Sequence, residues 1–391
     1  MTEDPSEGAE TIAEAVSART ALWAATMNGF VSRLYPSVRV AHEIEVLAPI
    51  SVRPMQREER EALEDDALAP GATRAIRAGD RQRQEDPDAF RTCFERDRDR
   101  VLHSAAFRRL AGKTQVFVDP LDHQRTRLTH AMEVWQVAAA IARATRLNVD
   151  LATAAALGHD CGHGPGGHPS EDAFGQFIPG GFDHATWGAD VALAHLNLCS
   201  ETLDAVRNHS WSRPEPSTPE GAVVSWADRI AYVCHDFEDA VSAGIVKASE
   251  IPDVVSERCG TTHARQLSSF INAVISTIER VGIVGMDEEM ADALAAFRLW
   301  NYERIYLRPD SIEQGRRVRG LLEALVERYA ASPELLPGEH SGDFGARSEA
   351  AFFAAVAYVA GMTDRFAVDA ARRLLDWPED NLPARFVARS E

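Results

Sequence analysis

At 391 residues the chain is long enough to form one large domain or two, with a substantial buried core. Hydrophobic residues make up 45% and aromatic residues 7%, as in ordinary globular proteins. The net charge of −19 argues against bulk binding to nucleic acid, which favours a basic face, but it leaves room for a local basic pocket that binds a triphosphate.

The amino-terminal part, residues 1–85, is predicted to be an accessory segment that is partly mobile. Its first thirty residues carry five acids and one base, whereas a signal peptide needs a basic start followed by an apolar stretch. No apolar run reaches the roughly eighteen residues that a membrane-spanning helix needs. The five cysteines form no CxxC pair, which is typical of reduced thiols. We therefore expect a cytoplasmic protein without a membrane segment.

The rest of the chain has the periodicity of helices. Residues 86–260 contain Ala-rich helical runs that are separated by loops rich in glycine and proline. Residues 261–391 are predicted to form a further helical region that packs on this core and completes its ligand pocket. Few stretches alternate as strands do, so the predicted fold class is all-α.

Four side chains of metal-binding types follow one another in the order His, His-Asp, Asp: His130, His159, Asp160 and Asp228. Two imidazoles and two carboxylates suit one divalent cation and leave positions for water and a phosphate oxygen, as in a hydrolytic centre. Taken singly, each has an alternative: a hydrogen-bonded core histidine for His130, a helix-terminal histidine beside a solvated aspartate for His159 and Asp160, and a buried hydrogen-bond network for Asp228. Their order favours the metal site.

The phrase from Gly158 to Glu171 holds three histidines within ten residues of a glycine-rich loop. His168 and Glu171 are three residues apart, so they face the same way if a helix begins here. A carboxylate beside an imidazole sets its tautomer and raises its pKa, which suits a general acid or base. The alternative is an exposed loop with incidental histidines.

Several phrases in a fixed order resemble the bacterial deoxyguanosine-triphosphate triphosphohydrolase family, a member of the HD-domain superfamily of metal-dependent phosphohydrolases. The resemblance covers about residues 90–370, and a bare His-Asp pair would be far less specific. The phrases are Ser104–Phe117, Arg127–His130, Gly158–Asp160, Trp226–Tyr232, Asn301–Tyr306 and Ala360–Phe366.

The resemblance implies an all-α HD-domain bundle with an additional helical C-terminal region, and hydrolysis of a dNTP to a deoxynucleoside and tripolyphosphate. It assigns one divalent ion (Mn, Mg, Fe, Co or Zn) to His130, His159, Asp160 and Asp228. It also assigns His168 and Glu171 as the catalytic pair. Another HD-type nucleotidase or phosphodiesterase, and a dNTP-sensing regulatory module with little turnover, are the alternatives.

The resemblance also implies a set of substrate contacts. Phosphates would meet Arg127, His163, His184, Arg229 and Arg298, and the deoxyribose would meet Gln115, Tyr232 and Asp236, with Tyr302 and Tyr306 as further contacts. The alternatives are purely structural roles: surface ion pairs for Arg229 and Arg298, a backbone contact for Gln115 and core packing for Tyr306. A homo-oligomer, with an allosteric nucleotide as a second ligand, is the expected assembly.

Two departures from the family pattern stand out. Relatives often carry Pro-Pro-Phe-Gly-His where this chain has Gly164-Pro-Gly-Gly-His168, so a bulky aromatic is absent at Gly166. We expect a looser loop and a larger pocket there. Relatives also often follow the Phe-Asp-His phrase with Asn, whereas Ala185 follows it here.

Overall fold

The computed structural model describes residues 18–42, 52–76, 78–120 and 123–383, and the chain divides into two compact units, Met1–Pro54 and Met55–Glu391. In the first unit the described residues form helix α1 (Ala18–Ala25) and the antiparallel strands β1 (Phe30–Val31) and β2 (Arg39–Val40). Much of the N-terminal segment that is predicted to be mobile, residues 1–17 and 43–51, lies outside the described residues.

The described part of the second unit is built from helices, joined by loops and short 3₁₀ turns. The helices are α2 (Arg57–Ala67), α3 (Cys93–His103), α4 (Ala105–Arg109), α5 (Arg127–Ala144), α6 (Val149–Gly158), α7 (Pro169–Gly175), α8 (His184–Trp187), α9 (Ser200–Arg207), α10 (Pro219–Ser242), α11 (Asp253–Cys259), α12 (His263–Val281), α13 (Glu288–Asn301), α14 (Pro309–Ala331), α15 (Glu349–Ala360) and α16 (Asp364–Leu375). Two π-helical segments occur, at Gly188–Ala192 and Tyr302–Tyr306. The predicted all-α fold class is confirmed.

The main core lies where α5, α6 and α10 pack together. Helix α6 is apolar on every side and buried from Leu151 to Gly158, as a central core helix should be. Its Asn148 cap accepts a hydrogen bond from the Leu151 amide, and the Thr218 cap of α10 accepts one from Gly221. Capping thus defines where both helices begin, and so where their functional residues lie.

A second core joins the carboxyl-terminal helices to the segment around α7 and α8. Val318 and Leu322 of α14 and Val359 of α15 pack in one cluster with Phe174 and Trp187. The C-terminal region therefore supports the loop that leads from α6 into α7. None of the described helices is long and apolar enough to cross a membrane.

Candidate functional site

The four predicted metal ligands come from three helices that share the main core. His130 lies in the first turn of α5, His159 and Asp160 directly follow α6, and Asp228 lies in the middle of α10. His130, His159 and Asp160 are buried, and Asp228 is partly open to solvent. Because these helices pack together, residues nearly a hundred positions apart converge on one point.

The side chains approach one another at distances that suit a shared cation. The Nε2 atom of His130 lies 3.1 Å from Oδ1 of Asp228 and 3.8 Å from Oδ2 of Asp160. The Nε2 atom of His159 lies 3.6 Å from the same Asp228 oxygen and 3.5 Å from Oδ1 of Asp160. Ligand atoms bound at about 2.0–2.2 Å to one ion have spacings of this order.

The donor chemistry supports the same interpretation. His159 Nδ1 lies 2.6 Å from the Ala156 carbonyl oxygen, which assigns the ring proton to Nδ1 and leaves a lone pair on Nε2. That buried Nε2 atom has no hydrogen-bond partner. Burial alone would lower the pKa of His159, but the Asp160 and Asp228 carboxylates raise it to about 9. The two carboxylates therefore favour a positive charge at Nε2 of His159, as expected for an atom that can bind a metal ion.

A buried arginine borders the cluster. The Arg127 guanidinium donates to Oδ2 of Asp160 over 2.7 Å, while its Nε and Nη2 atoms have no partner although they are buried. Burial would raise the pKa of Asp160, yet Arg127 and the histidines hold it well below the usual range. The unpartnered N–H groups can bind an anion beside the metal ligands.

A chain of side chains runs away from Asp160. His163 Nε2 lies 3.3 Å and His184 Nε2 3.9 Å from Oδ1 of Asp160, and the two rings are stacked at 3.8 Å. His184 Nδ1 lies 3.0 Å from Oε1 of Glu171, and its Nε2 lies 3.2 Å from Nε2 of His209. Burial alone would raise the pKa of Glu171, but the hydrogen bond from His184 lowers it below its usual value.

The helix α7 begins directly after His168, so His168 and Glu171 do lie on the same side of its first turn. His163, His168 and Glu171 bring one potential ligand atom each within 4.8 Å of one another. The hydrogen bond of Glu171, however, is to His184. Although His168 keeps contact with solvent, the protein around its ring desolvates it and, with Arg127, lowers its pKa to about 4.

The predicted sugar contacts form a separate group along α10. Arg298 Nε donates to the Tyr232 hydroxyl over 2.6 Å, and the Tyr306 hydroxyl donates to Asp236. Burial raises the pKa of Asp236 to about 8, although the hydrogen bond from Tyr306 opposes this. The half-exposed Tyr302 meets Tyr306 edge-on at 5.8 Å. Tyr306 is thus hydrogen-bonded to Asp236 and also packed against the core and Tyr302.

Gln115 and Arg229 are the remaining predicted contacts. Gln115 keeps a buried Oε1 atom without a hydrogen-bond partner, so this side chain is not engaged with the backbone through that oxygen. Arg229 places its guanidinium 3.6 Å from the ring centre of Trp211. That stacking occupies one face of Arg229 and holds it near the exposed Trp211.

The structure does not show the wider pocket that is expected at Gly166. This glycine has φ +73°, and a Cβ atom there would come within 2.3 Å of Cγ1 of Val318. Val318 of α14 therefore occupies the space next to Gly166, which explains why a residue without a side chain lies there. Ala185, at the second departure, is buried in α8 directly after His184.

Three residues of the site were given no role by the sequence analysis. His209 follows α9 as an isolated histidine, and its ring lies 4.9 Å from that of His159. Lys113 donates to the carbonyl oxygens of His163 and Ala360, and Asp364 accepts from Thr114. The available signals are the position of His209 between the His-Asp pair and Asp228, and the places of Lys113 and Asp364 within the phrases Ser104–Phe117 and Ala360–Phe366.

Comparison with known proteins finds two family models that match this chain. A family model described as HD domain matches residues 127–233, which contain all four predicted ligands, and one described as phosphohydrolase-associated domain matches residues 284–373. Among solved structures, a hypothetical protein from Aquifex aeolicus overlaps 73% of this chain and 69% of its own, at TM-score 0.46 and 17% identity.

The curated relatives match over most of their length. A deoxyguanosinetriphosphate triphosphohydrolase-like protein of Caldanaerobacter subterraneus subsp. tengcongensis is 37% identical over 337 residues, covering 84% of this chain and 96% of the relative. A protein of the same description from Clostridium perfringens is 38% identical over 301 residues, covering 73% and 87%. The chain therefore belongs to the deoxyguanosinetriphosphate triphosphohydrolase-like family of HD-domain phosphohydrolases.

Proposed function

We propose that this chain is a metal-dependent dNTP triphosphohydrolase, which cleaves a dNTP to a deoxynucleoside and tripolyphosphate. The observation that carries the proposal is the position of Arg127. Its two unpartnered, buried guanidinium nitrogens lie next to Asp160, within the cluster of His130, His159, Asp160 and Asp228. A site with free cationic donors beside metal ligands suits a polyphosphate better than a neutral substrate.

The metal ligands would be His130, His159, Asp160 and Asp228. A divalent ion bound there supplies Lewis-acid stabilisation of the phosphoryl oxygens and lowers the pKa of a water molecule. Two imidazoles and two carboxylates are compatible with Mn, Fe, Co, Mg or Zn, and elemental analysis of the purified protein would identify the ion.

His168 is our candidate for the proton donor to the 5′-oxygen leaving group. With its pKa lowered to about 4, it is neutral at pH 7 before substrate arrives. A bound triphosphate would favour the imidazolium, since an opposite charge nearby raises the pKa of a histidine. Glu171, within the same cluster, would support that charge, and the contact between Glu171 and His184 would orient both.

Recognition of the sugar would involve Gln115, Tyr232, Asp236 and Tyr306. The Tyr232 ring, held by the hydrogen bond from Arg298, would pack against C2′ and exclude a ribose hydroxyl by crowding. Arg298, His163 and His184 would contact phosphates, and Tyr302 would border the nucleoside. Arg229 would meet phosphates only from its stacked position on Trp211.

The product assay tests this function. Purified protein is incubated with Mn²⁺ and each dNTP, singly and in mixture, and the inorganic product is separated by ion-exchange chromatography. Tripolyphosphate is expected, whereas orthophosphate or diphosphate would point to another HD-type nucleotidase or phosphodiesterase. Thermal stabilisation by dNTP without any product would instead indicate a regulatory module.

The same samples test the assembly. We propose a homo-oligomer of a cytoplasmic enzyme with an activating nucleotide, on the strength of the family resemblance. Light scattering with and without dNTP measures the mass, and turnover that requires a second dNTP in the mixture would indicate activation. A monomer under both conditions would contradict this part of the proposal.

A further inference from the structure

Arg229 is a half-buried cation without an acidic partner. None of the described residues forms an ion pair or a hydrogen bond with its guanidinium, which stacks on Trp211 instead. We propose that Trp211 is a positioning residue, which holds Arg229 in the orientation that binds the polyphosphate of the substrate. The inference rests on the proposed function and deepens it, because it adds to the phosphate site a residue that the family resemblance does not assign.

Trp211 lies in the loop between α9 and α10, and its ring is fixed along α10. The indole Nε1 donates to the Ser225 carbonyl oxygen over 3.2 Å, and the ring of Trp226 meets it at 4.8 Å with an angle of 72°. Arg229 follows Ser225 by one helical turn, on the same side of α10. The ring that is bonded to Ser225 therefore reaches Arg229, whose guanidinium carbon lies 3.6 Å from the ring centre.

Stacking fixes the plane of the Arg229 guanidinium and uses none of its N–H groups. The five N–H donors of an arginine lie in that plane, whereas an aromatic ring contacts one flat face. The attraction between a cation and an aromatic face strengthens as water is removed from the pair. Burial is the main cause that lowers the pKa of Arg229, so this guanidinium is partly desolvated. Its donors are thus oriented, while all of them can still bind an anion.

A second arginine without an ion pair lies close by. Arg298 donates through Nε to the Tyr232 hydroxyl over 2.6 Å, and the Arg229 guanidinium carbon lies 5.9 Å from the ring centre of the same tyrosine. Within the described part of the chain Arg298 also forms no ion pair. The sequence holds 60 acids against 41 lysines and arginines, so acidic partners are not scarce. Two cations beside one tyrosine repel each other, and a polyphosphate has the charge to bind both.

A purely structural role for the stacked pair is the competing account. Trp211 is 49% exposed, and packing Arg229 against it would cover part of the indole and stabilise the loop before α10. Loss of the ring would then lower stability and leave the affinity for an anion unchanged. Positioning predicts a loss of anion affinity that depends on Arg229, so binding separates the two accounts.

The test is the dissociation constant of tripolyphosphate for the full chain in Mn²⁺ buffer, measured by isothermal titration calorimetry. Trp211→Ala and Arg229→Ala should each weaken binding by about fivefold or more, and Trp211→Phe, which keeps a ring, by less than about twofold. The double variant with both alanines should bind no more weakly than Arg229→Ala alone, because Trp211 acts through Arg229. Trp135→Ala is the matched control, since Trp135 is an exposed tryptophan on α5.

Steady-state kinetics with a dNTP provides a second readout. A phosphate contact that is made equally in the bound substrate and in the transition state affects KM and leaves kcat unchanged. Trp211→Ala should therefore raise KM by about fivefold or more and keep kcat within about twofold of wild type. Trp211→Phe should restore KM, which a general loosening of the loop would not predict.

Two results would overturn the proposal: wild-type affinity for tripolyphosphate in Trp211→Ala, or losses that add in the double variant. Should Trp211→Ala fail to fold, as judged by circular dichroism, fluorescence decides, because tripolyphosphate must change the tryptophan emission of the wild type and leave that of Trp211→Phe unchanged. Tripolyphosphate as the product together with unaltered binding in Trp211→Ala would refute this inference alone. Weakened binding in that variant without tripolyphosphate as a product would refute the proposed function alone.

Discussion

Asp364→Asn is the substitution that best tests how the C-terminal region supports the active site. Asp364 is buried at the start of α16, where Oδ2 accepts hydrogen bonds from the Thr114 amide at 2.9 Å and the Thr114 hydroxyl at 2.5 Å. Its Oδ1 atom accepts from the Gly166 amide at 2.7 Å. One carboxylate thus holds the loop before Gln115 and the loop before His168 together.

The expected loss follows from the number of acceptors. Asparagine keeps one oxygen, so it can serve Thr114 or Gly166 but not both, and its amide would face an N–H group at the other position. A buried donor without a partner costs about 1–3 kcal/mol, and we expect a loss of unfolding free energy in that range. Displacing the catalytic loop should also lower kcat/KM by about tenfold or more.

Urea unfolding followed by circular dichroism measures the first effect, and tripolyphosphate release measures the second. Asp369→Asn is the matched control: this residue lies in the same helix, is exposed and pairs with Arg372 at 3.6 Å on the surface. The control should stay within about 0.5 kcal/mol of wild type. If Asp364→Asn were as stable and active as the control, the bridging role of this carboxylate would be refuted.

Three further predictions concern the loop, the sugar pocket and the metal centre. Gly166→Ala should lower the free energy of unfolding by about 2 kcal/mol or more, because the added methyl group would overlap Val318 and the backbone would be strained. Adding Val318→Ala to this variant should recover part of the loss, and purely additive losses in urea unfolding would contradict the explanation. Burial raises the pKa of Asp236 to about 8 against about 3.9 when unfolded, so stability falls as pH rises between these values. In metal-free protein, Asp236→Asn should therefore gain unfolding temperature relative to wild type from pH 5 to pH 8, and parallel pH profiles would disprove the shift. His130→Ala should lose the bound metal and, with it, at least about a hundredfold in activity, whereas His168→Ala should keep the metal and lose turnover. Elemental analysis and the product assay measure the two effects, and an active His168→Ala variant or a metal-loaded His130→Ala variant would contradict the assignment.

The helical fold could be predicted from the sequence, and so could the burial of His130 and His159 at their helices, because both depend on local patterns. The apolar run before His159 forms a buried helix, and the glycines after Asp160 end it. His130 shares the apolar side of α5 and so faces the core. These predictions need only the helical periodicity and the residue types within single segments of the chain.

The remaining parts of the site depend on contacts between distant segments. The ring of His209 contacts those of His184 and His159, and Asp364 bonds to loops about 200 and 250 residues earlier in the chain. The effect of Gly166 was predicted wrongly for the same reason, since the side chain that fills the space, Val318, is 152 positions away (318 − 166). Tertiary packing determines such neighbours, and no local pattern records them.

The π-helical segment Tyr302–Tyr306 has a consequence for comparing members of the family. Its wide turn is closed by the amide of Leu307, which donates to the Tyr302 carbonyl at 3.0 Å, and it contains one residue more than an α-helical turn. Without that extra residue the chain beyond would rotate by about 100°, and Tyr306 would face away from Asp236. A helix without this extra residue would have to carry its tyrosine one position away along the chain to reach the same aspartate. Aligned columns and equivalent positions in space can therefore disagree just where the nucleoside would be read.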